Sequence, residues 1–173
     1  MFVILFTGLS GSGKSTLANA VAEELKKKGI LIDIIDGDES RQLIGNIMKY
    51  SREERMKMGS INCAIGHYLV RNGINVIYSL VCPYEEIREQ FRDVFGDIYI
   101  EIYVSTNREV CEKRDVKGLY KLSRQGLLEN LNGTNADFER PVKSDIVIDT
   151  AEVSIDEAKV KIIEYLRENH FLL

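Results

Sequence analysis

The sequence predicts an α/β fold, a parallel sheet with helices on both faces. Three observations carry the prediction. Short apolar strands alternate with helical stretches along the chain, a glycine loop joins the first strand to the first helix, and an Asp-Gly-Asp turn follows the second strand. In such folds ligands bind at the carboxyl ends of the strands. The 173 residues, 45% hydrophobic and 29% charged, suit one domain spanning 1–173.

Phe2 to Phe6 is a β-rich run that soon meets Gly8, and Ser15 to Lys28 places Leu17, Ala18, Val21 and Leu25 at helical spacing. Leu31 to Ile35 reads as a second strand ending at Asp36, and Arg52 to Arg71 as a long helix stopped by Gly73. Asn75 to Val81 is a third strand turned out by Pro83, Glu85 to Phe95 a helix, Tyr99 to Val104 a strand, and Arg108 to Lys113 a short helix. The charged, glycine-punctuated stretch from Asp115 to Arg140 is long for a loop and predicts a mobile lid. Asp145 to Ile148 and Ser154 to Glu168 supply the last strand and helix. No internal repeat, linker or low-complexity tract interrupts this order.

Composition narrows the function. The longest apolar runs, such as Ile74 to Val81, fall well short of the roughly 20 residues of a membrane helix. The start MFVILFTG has neither a basic leader nor a cleavage site, so a cytoplasmic protein is expected, not membrane-spanning and not secreted. With 23 Lys+Arg against 27 Asp+Glu and no basic cluster beyond Lys26 to Lys28, no nucleic-acid partner is expected, and any phosphate must be bound locally. Cys63, Cys82 and Cys111 are widely spaced and odd in number, which predicts reduced thiols and no zinc site. His67 and His170 are too few for a histidine-based metal site and are expected at the surface or half-buried.

Gly8-Leu9-Ser10-Gly11-Ser12-Gly13-Lys14-Ser15 matches GxxxxGK[ST], directly after a strand and opening a helix. Its glycines let successive backbone N–H groups form an anion nest, and the helix N-terminus adds about half a positive charge. Lys14 would reach the β- and γ-phosphates of ATP, and the Ser15 hydroxyl would ligate Mg²⁺. Gly8, Ser10, Gly11, Ser12, Gly13, Lys14, Ser15 and Thr16 are therefore the candidate ATP-binding residues. The loop alone does not decide whether the γ-phosphoryl goes to water, as in a switch, or to a substrate hydroxyl, as in a small kinase. A hydrolytic switch usually ends a buried strand in an acidic magnesium residue, whereas Asn75 to Val81 ends in Cys82-Pro83. The acidic pair is instead Asp36-Gly37-Asp38, where one carboxylate can accept the proton of an attacking hydroxyl and the other can hold the metal or its water. The same pair could simply cap a helix beginning near Glu39.

At these residues the sequence resembles the adenylylsulfate kinase (APS kinase) family, which phosphorylates the 3′-hydroxyl of adenosine 5′-phosphosulfate with MgATP. The resemblance runs through GLSGSGKST at Gly8 to Thr16, DGDxxR at Asp36 to Arg41, SxxCPY at Ser79 to Tyr84 and EVCEKRDVKGLYKLSRQG at Glu109 to Gly126. It continues through NGTNADFERP at Asn132 to Pro141 and IVIDT ending at Thr150. The resemblance implies a P-loop kinase with a lid at about 115–140, ATP and Mg²⁺ as cofactors, and a small-molecule nucleotide as acceptor. It makes Asp36 the general base, with Lys14 beside it in catalysis and Asp38 near the magnesium. Arg41 and Arg55 look like the family's clamps on the acceptor's anionic tail, Lys121 like the lid lysine, and Arg114 like the lid-base arginine near the donor nucleotide. Taken alone, Arg114 reads equally well as a solvated helix-end charge.

The acceptor side departs from the family pattern. The family's Asn-Ile-Arg-Arg reads Met58-Gly59-Ser60-Ile61, and its Phe-Thr-Gly, whose ring stacks on adenine, reads Leu131-Asn132-Gly133. The opposing Phe corresponds to Tyr50, and Ile-Ser-Pro-Tyr reads Val81-Cys82-Pro83-Tyr84. Losing one ring of the sandwich costs on the order of 1 kcal/mol of stacking. Cys82 reads as packing, and without the serine in-line transfer needs no phosphoenzyme. These changes are expected either as divergence among APS kinases or as specificity for another nucleotide with a short tail, such as cytidine diphosphoramidate, the substrate of kinases in capsule biosynthesis that resemble this family. An ATP-dependent regulatory switch and a non-catalytic scaffold are the readings from other classes. Family members are often dimers, so a homodimer stays open, with Phe91, Phe95 and Tyr99 as either interface or core.

Overall fold

The computed structural model describes residues 1–172. Its five strands are β1 (Val3–Thr7), β2 (Ile32–Asp36), β3 (Asn75–Ser79), β4 (Tyr99–Val104) and β5 (Ile146–Ile148), all parallel, in the order β2-β3-β1-β4-β5. Its helices are α1 (Lys14–Lys27), α2 (Gly37–Leu43), α3 (Arg52–Arg71), α4 (Glu85–Phe95), α5 (Arg108–Arg114), α6 (Leu119–Arg124) and α7 (Ile155–Glu168). The α/β fold with helices on both faces is thus as the sequence predicts. There are two differences: β3 stops at Ser79, short of the expected Val81, and α6 lies inside the stretch expected as an irregular lid, a six-residue helix being too short to leave a periodic apolar stripe.

β1 is buried along its whole length because both faces of the sheet are covered. Successive side chains alternate faces. Phe2, Ile4 and Phe6 pack with Leu17, Val21 and Leu25 of α1 and Ile162 and Leu166 of α7. Val3 and Leu5 pack on the other face with Tyr78, Cys63 of α3, and Ile87 and Phe91 of α4. Each such side chain, fully buried, contributes roughly 1.5–3 kcal/mol relative to exposure. α3 can lie this close because position 66 is glycine, where a Cβ would fall 1.7 Å from the Tyr78 hydroxyl.

Phe91, Phe95 and Tyr99 belong to this core, with Tyr78 and Phe91 edge-to-face at 4.8 Å. All three cysteines are buried and free, and both histidines are exposed. No helix among the described residues is long and apolar enough to cross a membrane. β1 lies between β3 and β4, so the loop leaving it opens where the chain crosses from one side of the sheet to the other.

Candidate active site

The loop after β1 can be followed residue by residue. Gly8 leaves the strand with φ 151°, and a Cβ there would stand 2.5 Å from the Val104 carbonyl oxygen, so the loop turns only because no side chain is present. The Ser12 hydroxyl is buried under the loop without a partner, while its carbonyl accepts from Thr150 Oγ1 at 2.7 Å and Thr106 Oγ1 at 3.3 Å. Gly8 and Ser12 therefore build the loop from beneath, and Ser10, Gly11, Gly13, Lys14, Ser15 and Thr16 face a cavity of about 560 Å³. Lys14 is buried and its Nζ donates to the Leu9 carbonyl at 2.7 Å. Burial, and then the charge of Lys117, bring its pKa down to about 8. Arg114 also faces the cavity and is no free helix-end charge: Nη1 donates to Thr150 Oγ1 at 2.7 Å and Nη2 to the Thr150 carbonyl at 2.8 Å.

Asp36 ends β2 at the other wall of the cavity and divides its work between two oxygens. Oδ1 accepts from the Asp38 amide at 2.9 Å and caps α2; Oδ2 accepts from Ser15 Oγ, also at 2.9 Å. Capping and chemistry are therefore compatible in one residue. Burial works against its ionisation, but the Asp38 amide, the Ser15 hydroxyl and the charge of Lys117 outweigh it and hold the carboxyl below its ordinary value. Ser79 completes the cluster with its Oγ 2.9 Å from Ser15 Oγ. Asp38, expected near the metal, is exposed and ion-paired to Lys117 from the lid stretch; the carboxylate beside Ser15 is that of Asp36.

Ser15 and Asp36 offer hard oxygen donors of the kind Mg²⁺ takes. No group of three or more His, Cys, Asp or Glu among the described residues forms a metal cage. An all-oxygen pair at a phosphate loop fits an ion that completes its shell with substrate phosphates and water.

A smaller cavity of about 90 Å³ adjoins the first and gathers Arg41, Tyr50, Arg55, Met58, Cys82 and Pro83. Arg41 Nη1 donates to the Met48 and Lys49 carbonyls at 2.9 and 2.7 Å, and its guanidinium lies 4.8 Å over the Tyr50 ring. Arg55 is buried, with Nε donating to the Tyr50 carbonyl at 3.0 Å and Nη2 to the Asn130 carbonyl at 2.6 Å. Cys82 is buried with φ 45°, and burial pushes its thiol pKa up, as packing requires. Its carbonyl accepts from Arg88 Nη1 at 2.9 Å; that guanidinium, wholly buried, also bonds the Glu85 carboxylate. Ser60 lines neither cavity: its hydroxyl bonds Gln90 of α4.

The lid stretch is tied down at both ends. Tyr120 and Leu131 are buried with Cys111 and pack against Leu9, and Tyr120 Oη donates to the Ser10 carbonyl at 2.9 Å. The Glu139 amide donates to the Pro83 carbonyl at 2.8 Å. Leu131 faces the large cavity. Lys121, expected as the lid lysine, is exposed and lines neither cavity, whereas Lys117 reaches the Asp36–Asp38 turn. Sequence reasoning missed Lys117, which stands in the same RDVKGLYK segment. Its direction depends on Asp115 and Gly118, both at positive φ, a turn that no periodicity announces. Ser79 was findable, since parallel pairing sets it beside Asp36 at the carboxyl ends of neighbouring strands.

The adenylylsulphate kinase family matches residues 1–149 of this chain. An adenylyl-sulfate kinase of Bacteroides thetaiotaomicron is 40% identical over 163 residues, covering 94% of this chain and 81% of the relative. One from Halothermothrix orenii is 37% identical over 169 residues, covering 98% and 91%. Among solved structures, an APS kinase of Mycobacterium tuberculosis in complex with AMPPNP and APS superposes with a TM-score of 0.91 at 31% identity, covering 96% of this chain and 97% of that one. Fold, phosphate loop and sequence agree: this chain belongs to the adenylylsulphate kinase family, phosphotransferases with an alcohol group as acceptor.

Proposed function

We propose that the chain is a single kinase domain, with a lid at about 115–140, that transfers the γ-phosphoryl of ATP to the ribose 3′-hydroxyl of a nucleotide, adenosine 5′-phosphosulfate first. The observation that carries the reading is the Asp36 carboxylate, held ionised at the wall shared by the phosphate loop and the acceptor side, with Oδ2 2.9 Å from Ser15 Oγ. The loop amides and Lys14 hold the phosphate chain, and Arg114 lines the same cavity. Asp36 Oδ2 takes the proton of the 3′-hydroxyl as its oxygen bonds to phosphorus and the β–γ bridging oxygen leaves with ADP. Ser15 is the residue that would hold Mg²⁺, with the Asp36 charge beside it, and the ion would neutralise charge building on the phosphate oxygens. Lys117 extends cationic contact from the lid, and Arg41 and Arg55 receive the acceptor's anionic tail. The relatives named above support the choice of acceptor.

One observation favours a second acceptor. Tyr50, 42% exposed, is the one aromatic among the expected base-facing positions, and the facing Leu131 is buried against Cys111 and Tyr120. A one-sided platform suits a pyrimidine, as in cytidine diphosphoramidate. The test measures ADP release with MgATP and, separately, adenosine 5′-phosphosulfate, cytidine diphosphoramidate or water. Turnover with the first supports the leading reading and turnover with only the second replaces it. ADP release with water alone replaces both with the regulatory switch.

A further inference from the structure

The floor of the 90 Å³ cavity contains a residue to which nothing above assigns a role. Asn62 lines it from α3, one helical turn after Met58. The residue is 2% exposed, and its carboxamide oxygen is buried with no hydrogen-bond partner. An unpaired buried amide is costly, and an apolar residue of the same shape would remove that cost. Its neighbours are otherwise satisfied: Arg41 and Arg55 rest on backbone carbonyls, and Tyr78 Oη donates to the Asn62 backbone carbonyl at 3.1 Å. Proteins break such local rules at functional sites.

We infer that Asn62 is a specificity-determining residue of the acceptor subsite, its carboxamide hydrogen-bonding the polar terminal group of the acceptor's tail between Arg41 and Arg55. This rests on the acceptor reading proposed above. A carboxamide suits the task because it offers one acceptor and two donors and adds no charge to a pocket whose cations already balance the tail.

The test uses the full chain with adenosine 5′-phosphosulfate and cytidine diphosphoramidate as probes, and reads KM for the acceptor, KM for ATP and Tm in Asn62→Leu and Asn62→Ala. For whichever probe wild type turns over, both variants should raise the acceptor KM at least about tenfold, equivalent to about 1.4 kcal/mol. The ATP KM should stay within about twofold, and Asn62→Leu should keep or raise Tm. Ala guards against Leu simply filling the cavity. Asn62→Asp separates the terminal groups: a sulfate tail is repelled and an amino-terminated tail retained. An unchanged acceptor KM in both Leu and Ala variants overturns the assignment, as does a lowered Tm with ATP and acceptor KM rising together. Wild type inert toward both probes overturns the acceptor reading itself, an outcome visible before any variant is made.

Discussion

The two halves of the cleft are built by different means. On the donor side the shape comes from backbone and short hydroxyls: Gly8 against the Val104 carbonyl, the Ser12 carbonyl under Thr106 and Thr150, and Arg114 fastened to Thr150. On the acceptor side it comes from long side chains bent onto loop carbonyls, Arg41 on Met48 and Lys49 and Arg55 on Tyr50 and Asn130, next to a Cys82 turn held by buried Arg88. A phosphate chain presents the same oxygens whatever nucleotide carries it, so backbone N–H groups suffice to bind it. Discriminating one acceptor from another takes side chains, and side chains change by single substitutions. On the proposed reading the donor half can therefore persist while the acceptor half is rewritten, as the resemblance implies for Tyr50, Met58, Cys82 and Leu131.

The contrast can be broken at the residue the halves share. Asp36→Asn keeps a cap for α2 but removes the proton acceptor, so kcat should fall about 10²–10⁴-fold while calorimetric affinity for metal-free ATP changes little. Equal losses in both would mean that Asp36 serves only the loop. Next in size, Lys14→Met should weaken ATP binding on the order of 100-fold without lowering Tm, because it removes a buried charge. In the intact protein Lys14 loses its proton above pH 8. Phosphates favour the charged form, so ATP affinity should be level below that pH and fall by up to about tenfold per pH unit above it. A titration by calorimetry from pH 6.5 to 9.5, endpoints chosen as roughly one and a half units either side, would reveal a flat profile if Lys14 titrates normally.

A smaller effect sharpens the comparison across the cleft. Lys117→Ala should lower kcat/KM for the acceptor on the order of tenfold and move the pH knee of ATP binding upward, since Lys117 depresses the Lys14 pKa. Lys121→Ala should alter both by less than about twofold, and a reversal of these two results would restore Lys121 as the lid cation. Smallest of all, Cys82→Ser should change kcat by less than about twofold, and iodoacetamide at pH 8 should leave Cys82 unmodified in mass spectra of the folded protein.

How much of this was legible in sequence depended on whether a residue's task was local. α3, α4 and β4 end where the periodicity and the glycine stops place them, because their apolar faces repeat over several turns or pleats. The phosphate loop and Asp36 were legible because spacing along the chain dictates their geometry. Lys117, Arg88 and Asn62 were not. Lys117 points into the cleft through a positive-φ turn, Arg88 works from complete burial on α4, and Asn62 stands out only by lacking a partner. Each depends on contacts across the fold, which composition and period do not encode.

Leu9 occupies both worlds. Its carbonyl takes the ammonium of Lys14, while its side chain packs with Leu131 and against Gly133 at the acceptor wall. On the proposed reading Lys14 exchanges that carbonyl for a phosphate, which releases one of the two holds on Leu9 and leaves the other. Any linkage between donor and acceptor carried through Leu9 is reciprocal: whatever factor ATP imposes on acceptor affinity, the acceptor returns to ATP.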